Sequence, residues 1–220
     1  MTGTPHFEAR WPSALAVVGA AALYLTLPNQ LVLGPPIVRY IVPALELAVL
    51  IPLTLTTPNR QASETGFRRK VAMTLTALIS VANALALFFL IRQLLYGSGV
   101  QGRTLLYAAL DIWVTNVIVF ALWYWELDGG GPPRRLANPN APRDFAFVQM
   151  TDPEVAAPGW HPRFADYLYT SFTNASAFSP TDTMPLTRWA KLLMLVQSAI
   201  SIMTLLLVAA RAVNILHVVT

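Results

Sequence analysis

Residues 71–91 read VAMTLTALISVANALALFFLI and contain no charged side chain. An α-helix rises about 1.5 Å per residue, so about 20 apolar residues cross the roughly 30 Å hydrocarbon core of a bilayer. This stretch is therefore long enough and apolar enough to span a membrane as one helix. It predicts that the chain is an integral membrane protein.

Four further segments on either side have the same apolar character. The whole chain is 55% hydrophobic and 12% charged, against about 25% charged residues in soluble domains. We therefore predict an all-α integral membrane fold, surrounded by lipid, with five transmembrane helices over about 13–33, 37–57, 71–95, 104–125 and 187–215. The short turn Gly34-Pro35-Pro36 joins the first two as a helical hairpin.

The absence of some residue types and the wide spacing of others exclude several classes of function. There is no cysteine, so disulfides and thiolate metal sites are ruled out. His6, His161 and His217 lie far apart and form no metal-binding spacing. No cofactor motif is present, and no histidine lies where it could serve intramembrane catalysis. We predict no enzyme activity, no cofactor, no metal and no nucleic-acid partner, and we assign the net charge of +4 to topology-setting loops.

A long polar interruption separates the fourth and fifth spans. Residues 126–163 begin their loop with Gly129-Gly130-Gly131-Pro132-Pro133 and hold seven prolines, a density that prevents a regular helix. Phe145, Phe147 and Trp160 supply apolar surface, so we expect an ordered cap. The predicted organisation is a three-span part over 1–103, followed over 104–220 by an outer helix, this Pro/Gly-rich loop, a re-entrant helix and an inner helix.

The re-entrant helix is predicted from residues 163–177, where aromatic side chains alternate with small hydroxyl residues. Pro162 suits the first turn of a helix. The segment holds about fifteen residues, which is too short and too polar to span. Irregular backbone at membrane depth occurs only where protein or a watery cavity surrounds it. The alternative is an amphipathic helix that lies at the membrane surface.

Three consecutive pieces of this region have the order of a pore-loop module. Residues 168–172, Leu-Tyr-Thr-Ser-Phe, are similar to the end of a pore helix, and residues 185–191, Pro-Leu-Thr-Arg-Trp-Ala-Lys, are similar to the start of a basic inner helix. The filter-like positions between them are Ser176, Ala177, Phe178, Ser179, Pro180, Thr181 and Asp182. The segment thus resembles the pore module of tetrameric potassium channels. The resemblance implies a homotetramer that conducts inorganic cations, with residues 104–125 as its outer helix.

The filter-like segment departs from the potassium-channel pattern T-x-G-Y-G-D. A potassium filter stacks backbone carbonyls, and its glycines permit the backbone angles that this requires. The chain has no glycine after Gly159, and Pro180 restricts both itself and Ser179. We therefore predict weak selectivity among cations. Four copies of Asp182 would ring the pore mouth; alternatively, Thr181 or Asp182 caps the final helix.

The same half of the chain also resembles an uncharacterised bacterial family of five-span membrane proteins. The matching residues are Trp113, Gly129 to Gly131, Asp166-Tyr167-Leu168-Tyr169, Phe172, Asp182 and Asn214. That family has no settled activity to transfer. The resemblance implies a multi-pass protein of a bacterial plasma membrane.

Membrane orientation follows from the distribution of lysine and arginine. The short loop 58–70 carries four such residues, whereas its counterpart 92–103 carries two. The positive-inside rule therefore places the N-terminus and residues 162–187 in the cytoplasm. Potassium channels place their pore loop outside, so the two arguments give opposite orientations.

Polar residues inside the spans are the remaining candidates. An intramembrane carboxylate costs about 2.5–3.5 kcal/mol by insertion scales, which makes Glu46 and Asp111 candidates for proton coupling in a small transporter, the alternative function, or for packing in a membrane scaffold. A structural partner for Glu46 would be Arg39 or Arg92. Gln197, Ser201 and Thr204 share one helix face, which lines a pore or, alternatively, faces the helix bundle.

Overall fold

The computed structural model describes residues 8–56, 59–60, 66–96, 102–138, 140–152, 154, 156–157, 159–177, 179 and 182–217. Over these ranges the chain is mostly helical. The α-helices are α1 Trp11–Thr26, α2 Val38–Thr56, α3 Gly66–Tyr96, α4 Gly102–Leu127, α5 Pro132–Ala137, α6 Val148–Thr151, α7 Phe164–Ser176 and α8 Arg188–His217. Two antiparallel strand pairs join β1 Glu8–Ala9 to β2 Asn59–Arg60, and β3 Phe145–Phe147 to β4 Thr183–Pro185.

Four of the described helical segments are long and apolar enough to cross a membrane. They are α2, α3, the segment that includes α4, and the first part of α8. The protein is therefore a multi-pass membrane protein of the all-α class. The first predicted span is different, because α1 has 16 residues and is roughly 24 Å long. That length is less than the roughly 30 Å of a hydrocarbon core.

Helix α1 ends early because of Pro28. A proline disfavours helical angles in the residue before it, and Leu27 is extended, with φ −61° and ψ 138°. The apolar segment continues beyond the helix through a 3₁₀ turn, Asn29–Leu31. Leu27, Leu31 and Val32 are buried and pack against α3 and α4. The first apolar segment is thus a broken helix.

An arginine of α2 donates hydrogen bonds at the C-terminal end of α1. Arg39 Nε donates to the carbonyl oxygen of Leu25 at 2.7 Å, and Arg39 Nη1 donates to Asn29 Oδ1 at 3.4 Å. The last carbonyls of a helix have no partner within it, and a cation suits the negative end of the helix dipole. The arginine therefore stabilises the helix end where α1 breaks.

Helix α4 is the centre of the fold. It packs against α1, α3, α7 and α8. Two apolar clusters surround it: one lies around Tyr124 and Trp125, and the other lies around Ala108 and Ile112. The N-terminal and C-terminal parts of the chain therefore share one helix as their common core.

The loop after α4 forms a cap that is organised around Asp128, which is fully buried. Its Oδ1 accepts the backbone N–H groups of Asp144 at 2.7 Å and Phe145 at 3.1 Å. Its Oδ2 accepts the Tyr167 hydroxyl at 2.6 Å and lies 3.8 Å from Arg143 Nη1. One carboxylate thus joins the end of α4, strand β3 and helix α7.

Candidate functional site

Helix α7 lies in the groove between α4 and α8. Its first turn is closed by Asp166, whose carboxylate accepts the backbone N–H of Arg163 at 2.7 Å. An acidic side chain is favourable there because the N-terminus of a helix carries a partial positive charge. The helix has 13 residues, so it is roughly 20 Å long.

Contacts with α4 fix how far α7 extends along the bundle. At its start, the Phe164 ring lies 5.6 Å from the Trp125 ring, near the end of α4. Ser171 Oγ donates to the Val117 carbonyl at 2.7 Å, and the Phe172 ring lies 5.9 Å from the Trp113 ring. Helix α7 therefore runs antiparallel to α4, from the end of α4 to its middle.

After α7 the chain reverses direction. Thr183 in β4 contacts Thr170 through their hydroxyl oxygens at 2.9 Å, and β4 pairs with β3. Helix α8 then begins at Arg188. The chain therefore reverses direction between Ser176 and Asp182 (the turn after α7), and the segments before and after the reversal both lead to the same end of α4.

The start of α8 is capped by Thr187. Its Oγ1 accepts the backbone N–H of Ala190 at 3.3 Å and donates to Asp144 Oδ1 at 2.8 Å. Since the helix begins six positions after Asp182, the alternative in which Thr181 or Asp182 caps it does not describe this helix start. Asp182 instead accepts a hydrogen bond from Thr183 Oγ1 at 3.2 Å.

We expect Thr187→Ala to lower the free energy of unfolding by about 1–2 kcal/mol, because one cap and one side-chain hydrogen bond are lost. The midpoint of thermal unfolding in detergent measures this loss. Thr187→Ser keeps the hydroxyl and should retain most of the stability. Thr151→Ala is the matched control, because that exposed hydroxyl only donates to the carbonyl of Val148 in its own short helix. Equal losses in the alanine and serine variants would contradict the assignment.

Most of the filter-like residues that the structure describes lie on the surface of the chain. Ser176, Ala177 and Ser179 are exposed and Asp182 is half-buried, whereas Phe178, Pro180 and Thr181 lie outside the described residues. Ser176 Oγ donates to the Phe172 carbonyl of its own helix at 2.8 Å. Ser176 and Ser179 are thus exposed polar residues of the turn.

A buried polar network joins α7 to α4 and α8, with Gln197 at its centre. Its Oε1 accepts hydrogen bonds from the Tyr124 hydroxyl and, at 2.8 Å, from Asn174 Nδ2. Its Nε2 donates to Ser171 at the carbonyl, 2.9 Å, and at Oγ, 2.7 Å. Buried amides of this kind are stable only when their donors and acceptors are paired. The network therefore fixes the position of α7.

The three pore-lining candidates lie within this interior. Gln197, Ser201 and Thr204 each have 0% of their surface exposed. Ser201 Oγ accepts a hydrogen bond from Asn116 Nδ2 at 3.0 Å, and Thr204 bonds to its own helix. Within the single chain this face of α8 is directed at the helix bundle.

The two intramembrane carboxylates, Glu46 of α2 and Asp111 of α4, line one small cavity together. Asp111 Oδ2 accepts the Thr26 hydroxyl at 2.7 Å. Glu46 is 3% exposed, and its Oε2 has no hydrogen-bond partner within the described part of the chain. Arg39 donates to the end of α1 instead, and Arg92 is exposed. The fold brings together two residues that are far apart in the sequence.

Some residues of the site were not found by sequence reasoning. Asp128, Ser171, Asn174 and Tyr124 each make buried hydrogen bonds that position α7. A usable signal was present in α7, because Ser171 and Asn174 are spaced i and i+3 on one face. Asp128 stands before three glycines, which is a sign of a tight turn with a special backbone.

The described residues contain no group of three side chains suited to hold a metal ion. Fold and site together define a multi-pass helical membrane protein with a short polar helix inserted between two long helices. Comparison with protein-family models, with curated proteins and with solved structures found no match to this chain.

Proposed function

We propose that this chain is the subunit of a pore-loop, channel-like membrane protein, a homotetramer that passes inorganic cations with weak selectivity. The observation that carries the proposal is the turn after α7. It follows the part of α7 where Phe172 packs on Trp113 in the middle of α4, and its described residues Ser176 and Ser179 are exposed. A short helix, a turn and a returning chain between two long helices have the layout of a pore module.

The exposure of this turn has a physical consequence in a membrane. Lipid offers no hydrogen bonds to hydroxyl groups or to irregular backbone, and each unsatisfied group costs several kcal/mol. A turn at this depth is stable when it faces water or other protein. In a symmetric assembly the turns of several subunits meet around the axis, where a water-filled path satisfies them.

In this proposal the Gln197 network positions the pore helix and does not line the path. Its side chains are fully buried between α4, α7 and α8 of one protomer. The path is instead formed by the turn and by surfaces that are exposed in the single chain. Half-buried Asp182 contributes one carboxylate per subunit, and a ring of carboxylates attracts cations.

Weak selectivity follows from the composition of the turn. Discrimination of potassium from sodium relies on closely spaced backbone carbonyls, and the turn from Ser176 to Asp182 contains no glycine that would permit their alignment. Ions therefore pass with more of their hydration water. We expect similar fluxes of potassium and sodium.

The test is cation flux into liposomes that contain the purified protein, together with the symmetry of the particle. We expect potassium and sodium fluxes above those of empty vesicles, and fourfold symmetry around residues 166–187. Asp182→Asn should lower cation flux several-fold, because the ring loses its charge. Asp152→Asn is the matched control, since Asp152 is exposed in the cap. No flux above empty vesicles, with a monomeric or dimeric particle, would overturn the proposal.

A further inference from the structure

A second site lies among the first four long helical segments, and none of its lining residues belongs to α7 or to the turn that follows it. It is a small cavity between α1, α2, α3 and α4, and its polar lining consists of Tyr24, Glu46, Asn83, Asp111 and Thr115. The cavity measures about 10 Å³, which is room for about one water molecule. Its size excludes an organic solute and leaves a water, a small ion or a proton as the occupant.

The cavity lies beside the break in the first helix. Leu23, Tyr24 and Leu27, at the end of α1, form part of its wall. The end of a helix carries a partial negative charge, and secondary transporters bind coupling ions at such interrupted helices near the bilayer midplane. Here, however, Arg39 already donates to the Leu25 carbonyl at that end, so the break does not by itself add a metal-binding position next to the two carboxylates.

Glu46 has a buried carboxylate oxygen for which the described surroundings provide no hydrogen bond. It is 3% exposed and its Oε2 is buried with no hydrogen-bond partner among the described residues. An isolated charged carboxylate in an apolar interior is highly unfavourable, so it binds a cation or takes up a proton. Uptake of a proton or of another cation would therefore relieve the cost of burying Glu46.

The groups that face the cavity from each described helix include no basic side chain that could compensate a charged Glu46. Helix α1 contributes the Tyr24 hydroxyl, α3 contributes the neutral amide of Asn83, and α4 contributes the Asp111 carboxyl group. Arg39 is the nearest arginine along α2, but it caps the end of α1 and is not part of the cavity wall. The only ionisable groups facing the cavity from these described helices are thus acids.

We propose that Glu46 and Asp111 form a proton-binding site, in which one proton is shared between the two carboxyl groups through a single water molecule. The proton that leaves one carboxyl group passes to the water, and the water gives a proton to the other carboxyl group. Asp111 is partly exposed and bonded to Thr26, whereas Glu46 is enclosed. Glu46 is therefore the position that stores the proton and Asp111 is the position that exchanges it.

The test is infrared spectroscopy of the purified full-length protein during a pH titration in a sodium-free buffer. A protonated carboxyl group has a carbonyl band separate from that of a carboxylate. We expect wild-type protein to show this band at neutral pH and Glu46→Gln to lose it. Glu154→Gln is the matched control, because Glu154 is exposed and its removal should leave the band unchanged. Asp111→Asn should keep the band of Glu46 at a shifted frequency.

Other outcomes overturn the proposal. An unchanged band in Glu46→Gln would mean that Glu46 is ionised in the wild type. Loss of the wild-type band when sodium chloride replaces choline chloride would assign the site to a metal cation. If Glu46→Gln does not fold, Glu46→Asp keeps the carboxyl group at a new position, and a band that does not move in that variant also rejects the site. None of these measurements depends on conduction through the turn after α7.

Discussion

Replacing Asp128 with alanine is expected to lower the free energy of unfolding by about 3–5 kcal/mol, because it removes one partner from a buried ionic and hydrogen-bonded group. Asp128 has no exposed surface, and it accepts hydrogen bonds from Asp144, Phe145 and Tyr167. Burial raises the pKa of Tyr167 well above its ordinary value, so its hydroxyl stays protonated and needs an acceptor. Arg143 loses its carboxylate as well.

The measurement is the midpoint of thermal unfolding in detergent, which we expect to fall by roughly 10 °C. Asp152→Ala is the matched control, since Asp152 is an exposed carboxylate in the same cap and its removal should change stability by less than about 0.5 kcal/mol. Asp128→Asn keeps one acceptor oxygen and should lie between the two. A midpoint for Asp128→Ala equal to that of the control would show that this carboxylate does not hold the cap.

Replacing Gln197 with leucine is expected to cause the second large loss in the free energy of unfolding. The variant has a similar volume but loses four hydrogen bonds, to Tyr124, to Asn174 and two to Ser171. Intramembrane hydrogen bonds average about 0.6 kcal/mol each, so the expected loss is about 2–3 kcal/mol. The effect should also reach function, because the same bonds hold α7 between α4 and α8.

Ser198→Ala provides the control for this variant, one position further along α8. Ser198 makes only longer contacts with Asn174, at 3.3 and 3.4 Å, and we expect a change below about 0.6 kcal/mol. Protease accessibility of residues 177–187 gives a second measure, since a loosened α7 frees the turn that follows it. Unchanged stability and unchanged cleavage in Gln197→Leu would mean that the network does not position α7.

The sequence predicted a residue of the candidate site only where the residue type is itself unusual for its surroundings. Glu46 is conspicuous because a carboxylate in an apolar run is costly wherever the run lies. Its pairing with Asp111 in one cavity could not be predicted, since the two residues lie on different helices and their approach depends on how α1 and α3 pack against both α2 and α4. For Gln197, a polar face on a helix fits a pore and a buried network equally well.

The break in the first span could have been predicted from the sequence. Pro28 lies inside the apolar segment 13–33, and its effect on Leu27 is local. The predicted continuous helix followed hydropathy alone, which averages over about 20 residues and does not register a change of backbone. The buried side chains after the break kept the segment apolar, so its composition was that of an uninterrupted span.

The sequence alone determined that this protein belongs in a membrane, which segments are apolar and that a short polar helix precedes the last one. These properties depend on transfer of local segments from water to lipid, and that transfer is nearly additive along the chain. Only the tertiary structure decided which face of α8 is buried, that α7 ends beside the middle of α4, and that Glu46 shares a cavity with Asp111. Those features depend on contacts between residues distant in sequence, whose geometry no single segment contains.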